Sequence, residues 1–163
     1  MTSKQAPDPS SRSAAYRAAI RLLEHRDRSI KDLQRRLESR GYDASTVSDT
    51  IDRLRREGFL DDRRFAERYV ESVRAGRGHG SHRLRAELVR KGVDRDLALA
   101  ATNLDPEQEA DLARELAKKR AAGLPAGLSR EVAMRRLAGF LGRKGFPAET
   151  VWAAARHAIE GRE

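Results

Sequence analysis

The stretch Leu33-Gln34-Arg35-Arg36-Leu37-Glu38-Ser39-Arg40-Gly41-Tyr42 decides the fold, because the chain writes its pattern three times. The pattern is Leu, three residues, Leu, two residues, a cation, Gly, then an apolar or aromatic residue. It returns as Leu84-Leu88-Lys91-Gly92-Val93 and as Leu137-Leu141-Lys144-Gly145-Phe146, with glycines 51 and 53 residues apart. Leucines at i and i+4 share one helix face. A cation in the last turn meets the negative pole of the helix, and glycine supplies the left-handed position that stops it. A fixed period of this length marks one supersecondary unit used several times. Arrays of this kind bind long partners along an extended surface.

Working outward from each copy gives a three-helix unit, with the phrase closing the second helix. In the first, Tyr16, Ile20 and Leu23 form an apolar stripe, Ser29 with Asp32 opens the phrase helix, and Asp43 caps a helix carrying Val47, Ile51 and Leu54. Asp61 then reads as an N-cap, with Leu60 and Phe65 placed as the two halves of a hydrophobic staple. The helix that follows carries Phe65, Tyr69, Val70 and Val73 and breaks at Gly76, Gly78 and Gly80. Asp94 caps a short sixth helix. Asp105-Pro106 opens the third unit with a cap and a proline at the first helical position. Ser129 starts the third phrase helix, and Pro147 stands where the other units have Asp43 and Asp94. No segment has the period-2, β-branched pattern of a strand. The expectation is an all-α tandem array of nine helices, elongated, with a loose tail over 1–13 and repeats over 14–60, 61–104 and 105–163.

Composition bounds the function. The chain has 163 residues, 36% charged and 39% hydrophobic, with a mean hydropathy of −0.75. A lone repeat of this size buries too little surface to stand by itself, so the repeats are expected to lean on one another. The net charge is +9 and the pI about 10.6, and every repeat carries part of the excess. Such a balance favours polyanionic partners. With no cysteine there is no disulfide, thiolate zinc site or cysteine nucleophile. Neither a signal peptide nor a membrane-spanning run is read, so a soluble intracellular protein is expected.

Gly58-Phe59-Leu60-Asp61-Asp62, followed by Phe65-Ala66, Tyr69-Val70, Arg74, a glycine-rich break and Leu84-Leu88-Lys91-Gly92, resembles the RecX regulatory proteins. The threefold repeat is similar to theirs as well, and the resemblance covers roughly residues 14–160. It implies a curved, extended bacterial protein of the cytoplasm that modulates the RecA recombinase in DNA repair, recombination and the SOS response. By that resemblance, the protein binds in the groove of the RecA–single-stranded-DNA filament and suppresses its recombination, ATPase and coprotease activities. The partner expected is therefore the RecA filament, with single-stranded DNA touched through basic faces, and the chain acting as a monomer without cofactor.

The candidates for that contact are Arg74, Arg77, Arg83, Arg85 and Arg90, in the densest basic segment of the chain. Arg83 and Arg90 are seven apart and share a helix face. A solvated surface in an arginine-rich protein is the bland alternative. The recurring Arg40, Lys91 and Lys144 are explained by helix C-capping alone, while Arg35-Arg36 and Arg135-Arg136 could extend a basic stripe. Base-specific reading by the third helix, with Arg53, Arg55 and Arg56 behind its apolar face, is disfavoured because its start at Ala44-Ser45-Thr46 offers little to a base edge. His79 and His82 are close but lack a third ligand, and Asp61-Asp62 is explained by cap duty. No nucleotide-binding loop occurs. No catalytic, cofactor or metal residues are therefore read. The few aromatics, Phe65, Tyr69 and Trp152, fall on apolar stripes and are read as core.

Overall fold

The computed structural model describes residues 8–161. Among these are nine α-helices and no strand: α1 (Arg12–His25), α2 (Ile30–Glu38), α3 (Ala44–Arg56), α4 (Asp62–Arg77), α5 (Ser81–Arg90), α6 (Arg95–Thr102), α7 (Pro106–Ala122), α8 (Arg130–Lys144) and α9 (Ala148–Glu160). They fall into three successive three-helix repeats. The reason is local. Leu33, Leu37, Leu84, Leu88, Leu137 and Leu141 are all fully buried, and Gly41, Gly92 and Gly145 all take positive φ, at 91°, 91° and 85°. Caps start the helices where the sequence places them. Ser29, Asp43, Asp105 and Ser129 each accept an amide hydrogen from the first turn of α2, α3, α7 and α8. Asp61 does the same for α4 and Asp94 for α6. Pro147 precedes α9 with no side-chain cap.

Contacts gather the chain into two compact units rather than three. One holds the chain up to Arg68 with Leu88–Leu97; the other holds Tyr69–Glu87 with the chain from Ala98 onward. The first has its core on Ala15, Ala19, Leu33, Leu37, Val47, Leu54 and Leu60. The second is built on Ala113, Ala117, Leu137, Leu141, Phe146, Val151 and Ala155. The division runs through the middle repeat for a physical reason: each joint between successive repeats lies wholly inside one unit.

The two joints are built alike. In the first unit Asp62 Oδ1 accepts from the backbone N–H of Ile30, the first residue of α2, at 2.8 Å. The Ser29 hydroxyl, which accepts from the Asp32 amide, also donates to the Lys91 carbonyl. A Cβ built on Gly92 would stand 2.5 Å from Lys31 Cβ. In the second unit Glu109 Oε1 accepts from the N–H of Ser81, the first residue of α5, at 2.8 Å. The amides of Gly80 and His82 donate to the carbonyls of Lys144 and Gly145 at 2.8 and 3.1 Å. A Cβ on Gly145 would overlap Arg83 Cβ and stand 2.6 Å from the Arg83 nitrogen. Each time, an acid from the next repeat's first helix and the Lys-Gly end of its second helix close on the start of the preceding second helix. These partners satisfy amides that a helix N-terminus otherwise leaves open.

Three expectations are corrected. The loose tail over 1–13 does not extend that far: residues 1–7 lie outside the described residues, but from Asp8 onward the chain has definite partners. Asp8 accepts from the Ser10 amide at 3.0 Å, Ser11 caps α1, and the Asp43 amide donates to the Pro9 carbonyl at 3.1 Å. Trp152 is not core. It is 49% exposed, at the edge of the α9 stripe on which Val151, Ala155 and Ile159 are buried. Phe65 and Tyr69 are half-buried, and of the expected staple pair only Leu60 is fully inside.

Candidate partner-binding surface

The break Gly76-Arg77-Gly78-His79-Gly80 turns the chain from α4 into α5. Gly78 sits at φ 60° with the Leu116 side chain so close that a Cβ there would be 2.9 Å from it. Across this turn, side chains of α4, of the break itself and of α5 meet in one polar group. Glu87, on α5, is buried and accepts from Tyr69 Oη at 2.9 Å and Arg83 Nε at 3.0 Å, with His79 Nδ1 3.4 Å away. His79 is itself buried. Two donors, Tyr69 and Arg83, reach the buried carboxylate and make its charge tolerable, while His79 Nδ1 lies beside it without a hydrogen bond of its own.

The five candidate arginines divide by what they hold. Arg74 is half-buried, with Nη2 3.5 Å from the Thr102 carbonyl, and it feels the charge of buried Glu109. Burial pushes its guanidinium pKa down. Arg85 Nε donates to Thr102 Oγ1 at 3.3 Å. Arg83 joins Glu87 and, through Nη1, donates to the Arg143 carbonyl at 2.9 Å. These three are tied to the fold. Arg77 and Arg90 are exposed, and α5 runs unbroken from Ser81 to Arg90. The residues that sort the arginines, Glu87, Glu109 and Thr102, escaped the sequence reading. Glu87 was legible as the i+4 partner of Arg83; Glu109, 28 residues from Ser81, gave no local signal.

The remaining motif residues serve structure. Asp61 caps its own helix while Asp62 caps α2, so the acid pair serves two helix starts. Among the described residues no group of three or more His, Cys, Asp or Glu is placed to hold a metal. Lys144 does not cap its own helix with its side chain: Nζ donates to the Arg77 carbonyl at 2.5 Å, at the end of α4. No helix among the described residues is long and apolar enough to cross a membrane.

The polar group gives the fold an acid sensitivity. Burial and the nearby Arg83 charge push the His79 pKa below its ordinary 6.5, against the pull of Glu87. Burial alone would raise Glu87, but Arg83, Tyr69 and His79 together hold it below its ordinary 4.5. Both folded values lie below the unfolded ones, so both groups stabilise the fold at high pH and lose that contribution as pH falls. The His79 part is complete above about 6.5 and fades below it; the Glu87 part fades below about 4.5. Thermal melting at stepped pH should show Tm falling in two stages, and His79→Gln should flatten the upper stage alone. A Tm independent of pH from 7 to 5 in the wild type would contradict the assignment of neutral His79.

Comparison with known proteins gives one consistent result. Models of the first, second and third three-helix domains of RecX match residues 15–54, 61–101 and 107–155, in that order. The regulatory protein RecX of Trichlorobacter lovleyi is 37% identical over 141 residues, covering 85% of this chain and 92% of that one. That of Amycolatopsis mediterranei is 41% identical over 127 residues, covering 77% and 72%. Among solved structures, RecX from Lactobacillus salivarius superposes with a TM-score of 0.83 over 90% of this chain and 96% of that one, at 23% identity, a likeness of fold.

Proposed function

This chain belongs to the RecX family of regulatory proteins, and from that premise we propose that it binds the filament RecA forms on single-stranded DNA and suppresses that filament's activities. The observation carrying the reading is the match of all three family domains in order along one chain. The net charge of +9 supports it, since both the DNA phosphates and acidic protein side chains are drawn to such a surface. On this reading the protein works in the cytoplasm as a monomeric binding protein, not an enzyme. Its curated relatives are named regulatory proteins, which fits. Of the five arginines, Arg77 and Arg90 are the ones free to reach a partner; Arg74, Arg83 and Arg85 hold the surface in shape.

The experiment is RecA ATP hydrolysis on single-stranded DNA, titrated with wild type and with an Arg77→Glu/Arg90→Glu variant. Among the described residues neither side chain is bonded to another, so the variant should melt with the wild type. The wild type should slow hydrolysis, less so as salt rises, because exposed charges are screened and counterions released. The variant should need about tenfold more protein for the same effect, equivalent to losing about 1.4 kcal/mol of binding. Equal potency of the two proteins would remove these arginines from the contact while leaving the family assignment intact.

A further inference from the structure

One residue holds both sides of the break between α4 and α5. The carbonyl of Lys144, at the end of α8, accepts from the Gly80 amide at 2.8 Å. The ammonium of the same residue donates to the Arg77 carbonyl at 2.5 Å. Gly78 and His79 lie between these two points, so Lys144 brackets the turn. Its side chain is itself supported, with Nζ 5.7 Å from the centroid of the Phe140 ring, which packs on the core. The segment so held has little else to fix it at one end. Residues 76–80 contain three glycines, and glycine gives the backbone its widest choice of conformation. Gly78 lies against Leu116 and Gly80 against the backbone of Gly145, but around Gly76 nothing lies within 4 Å of a built Cβ. Arg77, with its exposed side chain, stands between Gly76 and Gly78 and ends α4.

Carbonyls in the last turn of a helix have no partner within it, and a cation there meets the negative pole. Lys144 supplies α4 with both the donor and the charge. Its own helix does not use the side chain, because α8 is closed by the Gly145 amide on the Gly142 and Leu141 carbonyls. The joint between the repeats does not use it either: the Gly80 and His82 amides and the Arg83 guanidinium reach backbone carbonyls of residues 143–145. We propose that Lys144 is a positioning residue for partner binding, its ammonium fixing the end of α4 so that Arg77 is presented from a fixed backbone. The inference rests on the filament reading, with Arg77 as a contact in it, and adds a residue that acts through Arg77 rather than on the partner. An arginine held this way has less freedom left to lose on binding than one carried by a loose glycine segment.

The test is inhibition of RecA ATP hydrolysis on single-stranded DNA by full-length wild type, Lys144→Met, Arg77→Ala and the double variant. Methionine keeps an apolar stem beside Phe140 and removes the donor and the charge. Lys144→Met should need about threefold to tenfold more protein for half-inhibition, as expected from ordering one long side chain at an interface. Arg77→Ala should lose at least as much. In the Arg77→Ala background Lys144→Met should change the value by less than about twofold, since nothing is left to position. Lys144→Arg, which keeps a cationic donor, should stay within about twofold of the wild type. Hydrogen exchange of the free protein gives a readout without RecA: amides of residues 76–79 should exchange about threefold or more faster in Lys144→Met. Equal losses from Lys144→Met in both backgrounds would overturn the proposal and make Lys144 a contact in its own right. So would wild-type potency of Lys144→Met or of Arg77→Ala, or unchanged exchange in Lys144→Met. Each of these, with a wild type that inhibits, removes the role and leaves the filament reading standing; a wild type that does not inhibit removes both.

Discussion

Gly145→Ala should unfold a large fraction of the protein's stability margin, whereas the same change at Gly41 should cost little more than its backbone strain. Both glycines end a phrase helix with φ near +90°, so both lose about 1–2 kcal/mol when a Cβ is forced into the left-handed region. They differ in what surrounds them. Around Gly41 nothing lies within 4 Å of a built Cβ. At Gly145 the Cβ meets the Arg83 backbone at 2.6 and 2.9 Å, and backbone in a helix does not yield as a side-chain tip does. Displacing it would lengthen the bonds from Gly80 and His82 to the α8 carbonyls. Overpacking of this kind adds about 1–3 kcal/mol, so Gly145→Ala should cost about 2–5 kcal/mol in denaturant unfolding. Gly92→Ala, against Lys31 Cβ at 2.5 Å, should fall between the two. Equal losses at all three positions would show that the repeats do not touch at their glycines.

Glu109→Ala should cost about 3 kcal/mol, the other large effect. Glu109 is buried on α7 and accepts from both the amide and the hydroxyl of Ser81, at 2.8 and 3.1 Å. Its charge also faces Arg74, whose Nε is buried without a hydrogen-bond partner. Removing the carboxylate leaves an N-terminal amide of α5 open and a half-buried guanidinium without its counter-charge. Loss of one partner of such a group costs more than the group's net contribution, because the remaining one stays desolvated. Glu109→Gln should recover part of the loss by keeping an acceptor for Ser81 but not the charge for Arg74. A Glu109→Ala protein melting like the wild type would refute the joint. Asp62→Ala tests the equivalent position in the first unit and should cost less, since Asp62 is less buried.

What could be read from the sequence was what neighbouring residues encode. The leucine pairs, the stopping glycines and the caps at Ser29, Asp43, Asp61, Asp94, Asp105 and Ser129 act within a turn or two of themselves, so spacing alone exposed them. The joints could not be read this way. Ser29 finds Lys91 from 62 residues away and Lys144 finds Arg77 from 67. Capping explained why glycine recurs, but not why Gly92 and Gly145 also permit a close approach that Gly41 does not have. The arginine assignments failed to separate for a related reason. Local charge excess says that cations are present; Glu87, four residues from Arg83, could be read locally, but only the tertiary partners Glu109 and Thr102 say that Arg74 and Arg85 are already engaged. Trp152 was misplaced because a residue three and seven positions before buried Ala155 and Ile159 reads as core, although it lies at the edge of that stripe and stays exposed.

The most direct measurement is binding of the purified protein to RecA assembled on single-stranded DNA, beside RecA alone and DNA alone, with ATP hydrolysis followed in the same mixtures. Saturable binding tighter to the filament than to either component, with hydrolysis falling as the filament sites fill, is the predicted result. Equal binding to bare DNA and filament, with hydrolysis unchanged at saturation, would contradict it.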